Sequence, residues 1–212
     1  LSSSSAASDV YKRQGMTFPL LFLPSTIVGA LSFTLIPELS TAIAKHENEL
    51  IANRIKTSLI IAVFISAMVI PFYVGVGEEI GIFLYDNASS GEYLARAAWV
   101  MLPLGLSNIT SSILNAYNLE VKSFVNNIVG GVLLLGIVAG LSGLLGIDAL
   151  IWGFGTCMLV TTILNLYMLK KHTQLNFGLV KPTLLMFAFI VPCSLLTYWG
   201  YPLLCLLYTS PS

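Results

Sequence analysis

The sequence predicts an all-α, polytopic membrane protein, a bundle of about six transmembrane helices. Three observations predict it. Only 9% of the 212 residues are charged, against roughly a quarter in a soluble domain. The hydrophobic fraction is 56% and the mean hydropathy is +0.86. The apolar residues also come in unbroken stretches of about 20, the length that crosses roughly 30 Å of hydrocarbon at 1.5 Å per residue. A soluble core of this size would show stripes instead.

The first predicted span covers residues 16–36 and stops at Pro37 and Glu38. Residues 38–56 are polar, with Leu39, Ala42, Ile43, Leu50, Ile51 and Ile55 at near-helical spacing. That pattern predicts an amphipathic helix lying at the interface. The second span covers 58–76, followed by a short apolar segment to Tyr85 and a turn-rich loop over 86–91. Spans three to six fall at 93–114, 124–145, 149–169 and 182–204. Residues 124–169 are too long for one crossing, and Asp148 marks the break. Residues 15–204 thus form the predicted six-helix lobe. The opening 1–14 lacks apolar periodicity and an h-region, so it is no signal peptide. It resembles translated adapter sequence, as does 205–212, and both are expected to be non-native tails; native disordered tails are the alternative.

Orientation follows from Lys and Arg in short loops. The first, third and fifth loops hold seven: Lys45, Arg54, Lys56, Lys122, Lys170, Lys171 and Lys181. The second and fourth hold none, with Arg96 just inside span three. The basic loops are expected in the cytoplasm, so span one enters from outside.

The formal net charge is zero, so nothing points to nucleic acid. Cys157, Cys193 and Cys205 lie in apolar runs without metal or disulfide spacing. His46 and His172 fall in loops, no phosphate-binding Gly-rich loop is present, and no nucleophile–base–acid set stands out. The chain is therefore read as a non-enzyme with no cofactor and no metal site. The sequons at Asn87 and Asn108 match a glycosylation pattern, but the second lies within a span.

Polar residues inside spans are the candidates for function. Arg96 follows Glu92 by four residues, the favourable order for a helical ion pair; it is either a snorkelling anchor or a cavity-facing contact for a headgroup. Ser107, Asn108, Thr110, Ser111, Ser112 and Asn115 crowd the inner half of span three, and Asn126 and Asn127 open span four. Asn108, Ser111, Ser112 and Asn115 share one helical face by spacing. Two readings of them stand: interhelical hydrogen bonds, or a hydrated cavity that accepts a polar headgroup. Gly136 and Gly140 form a GxxxG pattern, continued by Gly143 and Gly146, which predicts close helix packing. Pro24, Pro71, Pro103 and Pro192 fall within spans and predict bent helices.

The stretch GMTFPLLFLPSTIVGALSFTLIPELS, residues 15–40, resembles the family of stage V sporulation protein B and related polysaccharide transporters. These belong to the multidrug/oligosaccharidyl-lipid/polysaccharide (MOP) exporter superfamily. The resemblance continues through Arg54 and Ile55, through residues 80–85 (IGIFLY) and at Gly146-Ile-Asp-Ala. It departs at residues 114–119, LNAYNL, where relatives tend to carry a Leu-Gln-x-x-Gly ending. The resemblance covers most of 15–175 and implies the C-terminal lobe of a two-lobed transporter. It implies a lipid-linked saccharide (a peptidoglycan precursor or polysaccharide repeat unit) as substrate, flipped or exported by alternating access. It further implies the bacterial plasma membrane as location, and the lipid bilayer and an N-terminal lobe as partners. A cation-coupled multidrug exporter of the same superfamily and a non-transport membrane subunit are the alternatives.

Overall fold

In the computed structural model, residues 2–146, 148–173, 188 and 190–197 are described, and of these all side chains but those of 2–14 and 16. The chain is all-α. In order come α1 (Ser2–Ala44), α2 (Asn48–Tyr85), α3 (Ala88–Ala97), a 3-10 turn (Ala98–Val100), α4 (Met101–Ala116), α5 (Glu120–Leu145) and α6 (Asp148–Thr173). Among the described residues, five stretches are long and apolar enough to cross a membrane: Thr17–Ala44, Asn48–Tyr85, Ala88–Ala116, Glu120–Leu145 and Asp148–Thr173. The protein is a multi-pass membrane protein. The expected sixth span falls mostly outside the described residues, although 190–197 are helical.

Short turns join the helices. Between α1 and α2 the chain reverses within three residues, with His46 left-handed at φ 57°. Asp86 caps α2 in the same conformation; its N–H donates to the Ile82 carbonyl at 2.8 Å and the following Asn87 N–H to the Gly81 carbonyl at 3.3 Å. The Asn87 side chain then accepts from the Ser89 N–H at 3.0 Å, so this sequon asparagine serves as the N-cap of α3. The α2 and α3 helices cross closely at two glycines: a Cβ at Gly81 would strike the Gly91 backbone.

Two apolar clusters stack along the bundle. The first joins Leu20, Leu21, Ile70, Tyr73, Leu94, Met101 and Ile151. The second, toward the basic turns, joins Val28, Leu39, Ile55, Leu59, Ile109, Ile113 and Leu169. α4 runs through the middle, with 11 of its 16 residues buried. α5 is the opposite case. Only Ser123, Asn126 and Gly130 of its 26 residues are buried, and it packs chiefly on α6.

Two expectations, the interfacial helix and the GxxxG ridge, need correction. There is no interfacial helix over 38–56. α1 continues through Pro37 to Ala44 and α2 already starts at Asn48, so the apolar stripe is folded into a hairpin. Leu39, Ala42, Ile51 and Ile55 are buried there, and Arg54 Nη1 meets Glu38 Oε2 at 3.4 Å across it. At its other end α1 extends back through residues 2–14. Span three lies within one spanning stretch, Ala88–Ala116; Pro103 has no N–H to return to the Trp99 carbonyl, and the chain tightens to 3-10 at Ala98–Val100 just before it. Nor does the GxxxG ridge mediate packing among the described residues. A Cβ at Gly136, Gly140 or Gly143 would meet nothing within 4 Å. The close α5–α6 approach is at Gly130 instead, against Cys157 and Thr161.

Candidate functional site

The polar residues predicted on spans three and four do gather, around an asparagine on α6. Asn165 is completely buried. Its Oδ1 accepts from Asn126 Nδ2 of α5 at 2.9 Å. Its Nδ2 donates to Thr110 Oγ1 at 3.3 Å and Ser111 Oγ at 3.1 Å, both on α4. One amide thus ties three helices, using both its acceptor and its donors. About one turn earlier on α6, Thr162 Oγ1 donates to the carbonyls of Met158, at 2.8 Å, and Pro103, at 3.2 Å, a second polar tie between α6 and α4.

Beside this network lies an open groove of about 450 Å³ between the end of α4 and the start of α5. Ser111 and Asn115 of α4 line it with Glu120, Val121, Ser123, Phe124 and Asn127 of α5. The spacing explains the α5 contribution, since residues i, i+3, i+4 and i+7 share one helical face. Asn127 Nδ2 donates back to the Ser123 carbonyl at 2.9 Å, which orients its amide. Ser111 therefore belongs to both features: its oxygen accepts from buried Asn165 while its side chain borders the groove.

The predicted set divides accordingly. Ser111, Asn115 and Asn127 line the groove. Asn126 turns inward to Asn165 and is an interhelical tie. Asn108 is half-buried and Ser112 buried, and neither lines the groove, so the four-residue face read from spacing is split by the curvature of the packing. Arg96 lies elsewhere. Its Nη1 is 3.1 Å from Asp148 Oδ2 and its Nη2 is 3.7 Å from Glu92 Oε2. Asp148 opens α6 and Asn165 is 17 residues further on, about 26 Å along the helix at 1.5 Å per residue. Arg96 is thus an exposed ion-paired anchor between α3 and α6, remote from the groove.

Asn165 and Glu120 escaped the sequence reading. Asn165 is a single polar residue near the end of a long apolar run, and only its spacing from Thr161 and Thr162 marks a polar face. Glu120 reads as one charge in a solvated loop. Among the described residues, no three His, Cys, Asp or Glu side chains gather into a metal-ligating group.

Comparison with known proteins gives one alignment of note. The chain is similar to stage V sporulation protein B of Bacillus subtilis (strain 168), 22% identical over 185 residues. The alignment covers 86% of this chain and 36% of the relative, so the chain spans about a third of that protein's length. No family model matches the chain. No solved structure matches it.

Proposed function

We propose that this chain is part of a bacterial plasma-membrane transporter that flips or exports lipid-linked saccharides by alternating access. The observation that carries the reading is the polar groove bordered by Ser111, Asn115, Glu120 and Asn127, at one end of apolar helices. It stands in a chain that aligns over 86% of its length with stage V sporulation protein B. Polar side chains at the end of spanning helices are costly to leave without a partner in lipid. A groove that offers amides, hydroxyls and a carboxylate is suited to a hydrated headgroup, while the apolar flank of α5 is suited to the lipid tail. In this reading the chain acts by binding and moving its substrate, not by covalent chemistry. The rest of the transport path, a second lobe, lies in the longer protein, and the basic turns face the cytoplasm, where lipid-linked precursors are loaded.

The test uses the longer protein that contains this chain, expressed in bacteria depleted of their own flippase. Restored translocation of lipid-linked peptidoglycan precursor is the expected result. Efflux of cationic drugs without precursor translocation would replace this reading with that of a multidrug exporter.

A further inference from the structure

Resting on the transporter reading, we propose that the groove between α4 and α5 holds the uncharged sugar portion of the headgroup and leaves the phosphates outside. Its lining decides the chemistry. Glu120 is a carboxylate, able only to accept when ionised. Asn115 and Asn127 are carboxamides that both donate and accept, and Ser111 and Ser123 are hydroxyls. Phe124 adds an aromatic face that is 65% exposed and free to stack on the C–H face of a pyranose ring.

Among the described residues, no cation lines this groove. Lys122 stands two residues after Glu120 and so points to another face of α5. Lys170 and Lys171 sit in the last turn of α6 and do not border it. A pyrophosphate placed here would face a carboxylate with no counter-charge, and anions of that kind are held by Arg, Lys or bundled N–H groups. Hydroxyl and acetamido groups are matched instead.

The site is also partly built before any ligand arrives. Ser111 Oγ already accepts from Asn165, which is 0% exposed, so its O–H proton is left to donate into the groove. Asn127 spends Nδ2 on the Ser123 carbonyl and leaves Oδ1 as an acceptor. Asn115 and Glu120 have no side-chain hydrogen bond or ion pair among the described residues, so both can meet a ligand without breaking a bond. The volume of about 450 Å³ falls within the range of about 300–1,000 Å³ usual for small-molecule sites.

The test places the 212-residue chain in lipid nanodiscs with two separate probes, the methyl glycoside of N-acetylglucosamine and inorganic pyrophosphate. Saturation-transfer NMR reads the sugar, and phosphorus line width reads the pyrophosphate. A sugar signal at millimolar concentration is expected, with affinity reduced about fivefold in Asn127→Ala and in Glu120→Gln, equivalent to one hydrogen bond of about 1 kcal/mol. Pyrophosphate should broaden only with Glu120→Lys. Both positions are exposed, and circular dichroism checks that each variant keeps its helicity. Pyrophosphate broadening by the unaltered chain that Asn127→Ala removes would overturn the proposal, as would absence of a sugar signal or a signal unmoved by both variants. A sugar signal that follows the variants, with no translocation by the longer protein, leaves the groove assignment standing and overturns the transport reading.

Discussion

At the scale of single residues, the buried amide of Asn165 has the largest structural consequence. Removing it strips Asn126 Nδ2, itself 6% exposed, of its acceptor and Ser111 of its donor. In water-free surroundings an orphaned polar group carries its desolvation penalty, although measured interhelical bonds in membranes average only about 0.6 kcal/mol with a maximum near 1.7. Asn165→Ala is therefore expected to lower stability by about 1–2 kcal/mol in denaturant titration of the micelle-embedded chain. Replacing Asn126 and Asn165 together with Leu should recover part of that loss, because the Asn126 amide is no longer orphaned and Thr110 and Ser111 lose only a donor to their hydroxyl oxygens; an Asn165→Ala variant as stable as the parent would show the network to be idle. Tyr117 offers a different test, outside the spans in the turn after α4. Burial raises its pKa above the ordinary 10.0, and its ring lies edge-on to His172 at 5.6 Å. A phenol whose folded pKa is raised contributes stability that is fully present below pH 10 and fades as pH climbs through the folded value. Alkaline titration of stability should show that decline, and Tyr117→Phe should remove it. Spacing made part of this site legible: Ser111, Asn115 and Asn127 were visible because polar residues cluster there. Asn165 was not, because one amide in an apolar run looks the same whether it faces lipid, a cavity or another amide.

At the scale of elements, the contact between α6 and the 3-10 turn is the sharpest constraint. Trp99 lies under Gly155 so closely that an added Cβ would run into the indole, and its ring meets that of Trp152 at 5.2 Å. Gly155→Ala forces the indole or the helix to move, and overpacking of this kind costs about 1–3 kcal/mol. The expected outcome is that loss in titration together with a shift in tryptophan emission; unchanged stability and emission would show that the helices part freely. The Arg96–Asp148 pair ties α3 to the start of α6 but is weak by its exposure, with side chains 56% and 35% accessible. A double-mutant cycle should give a coupling below about 1 kcal/mol that falls further with salt. Most element positions were readable in advance. The α5–α6 turn was located by Asp148 and by the length of the apolar run, and both helices extend only a few residues beyond the expected spans. The stretch 38–56 was not readable. A stripe of Leu39, Ala42, Ile51 and Ile55 reports that one face is apolar, and an interface helix and the paired ends of two long helices satisfy it equally. Gly136 and Gly140 pose the same ambiguity, for a small-residue ridge states that close approach is possible and not that a helix makes it.

At the scale of the whole molecule, the unequal burial of the helices has a topological consequence that labelling can reach. α4 is enclosed, whereas beyond the groove α5 presents Val132, Leu135 and Leu144 outward at 63–84% exposure; such a stretch is compatible with lipid or with a further helix packed against it, and not with water. The bundle therefore lies with α5 inside the hydrocarbon, and the turns at its two ends emerge on opposite sides. By the positive-inside rule, the seven Lys and Arg residues assigned from sequence to alternate loops are expected on the cytoplasmic side. With Cys157, Cys193 and Cys205 changed to Ala, Asn48→Cys and Asn118→Cys are expected to react with an impermeant maleimide only after cells are opened. Ser89→Cys and Gly146→Cys should react in intact cells. The groove follows the turn at Asn118, so this result would put it on the side where lipid-linked precursors are made. The reverse labelling would leave the described helices intact but place Glu120 and Asn127 outside, and under the proposed transport reading the groove would then release a substrate rather than load it.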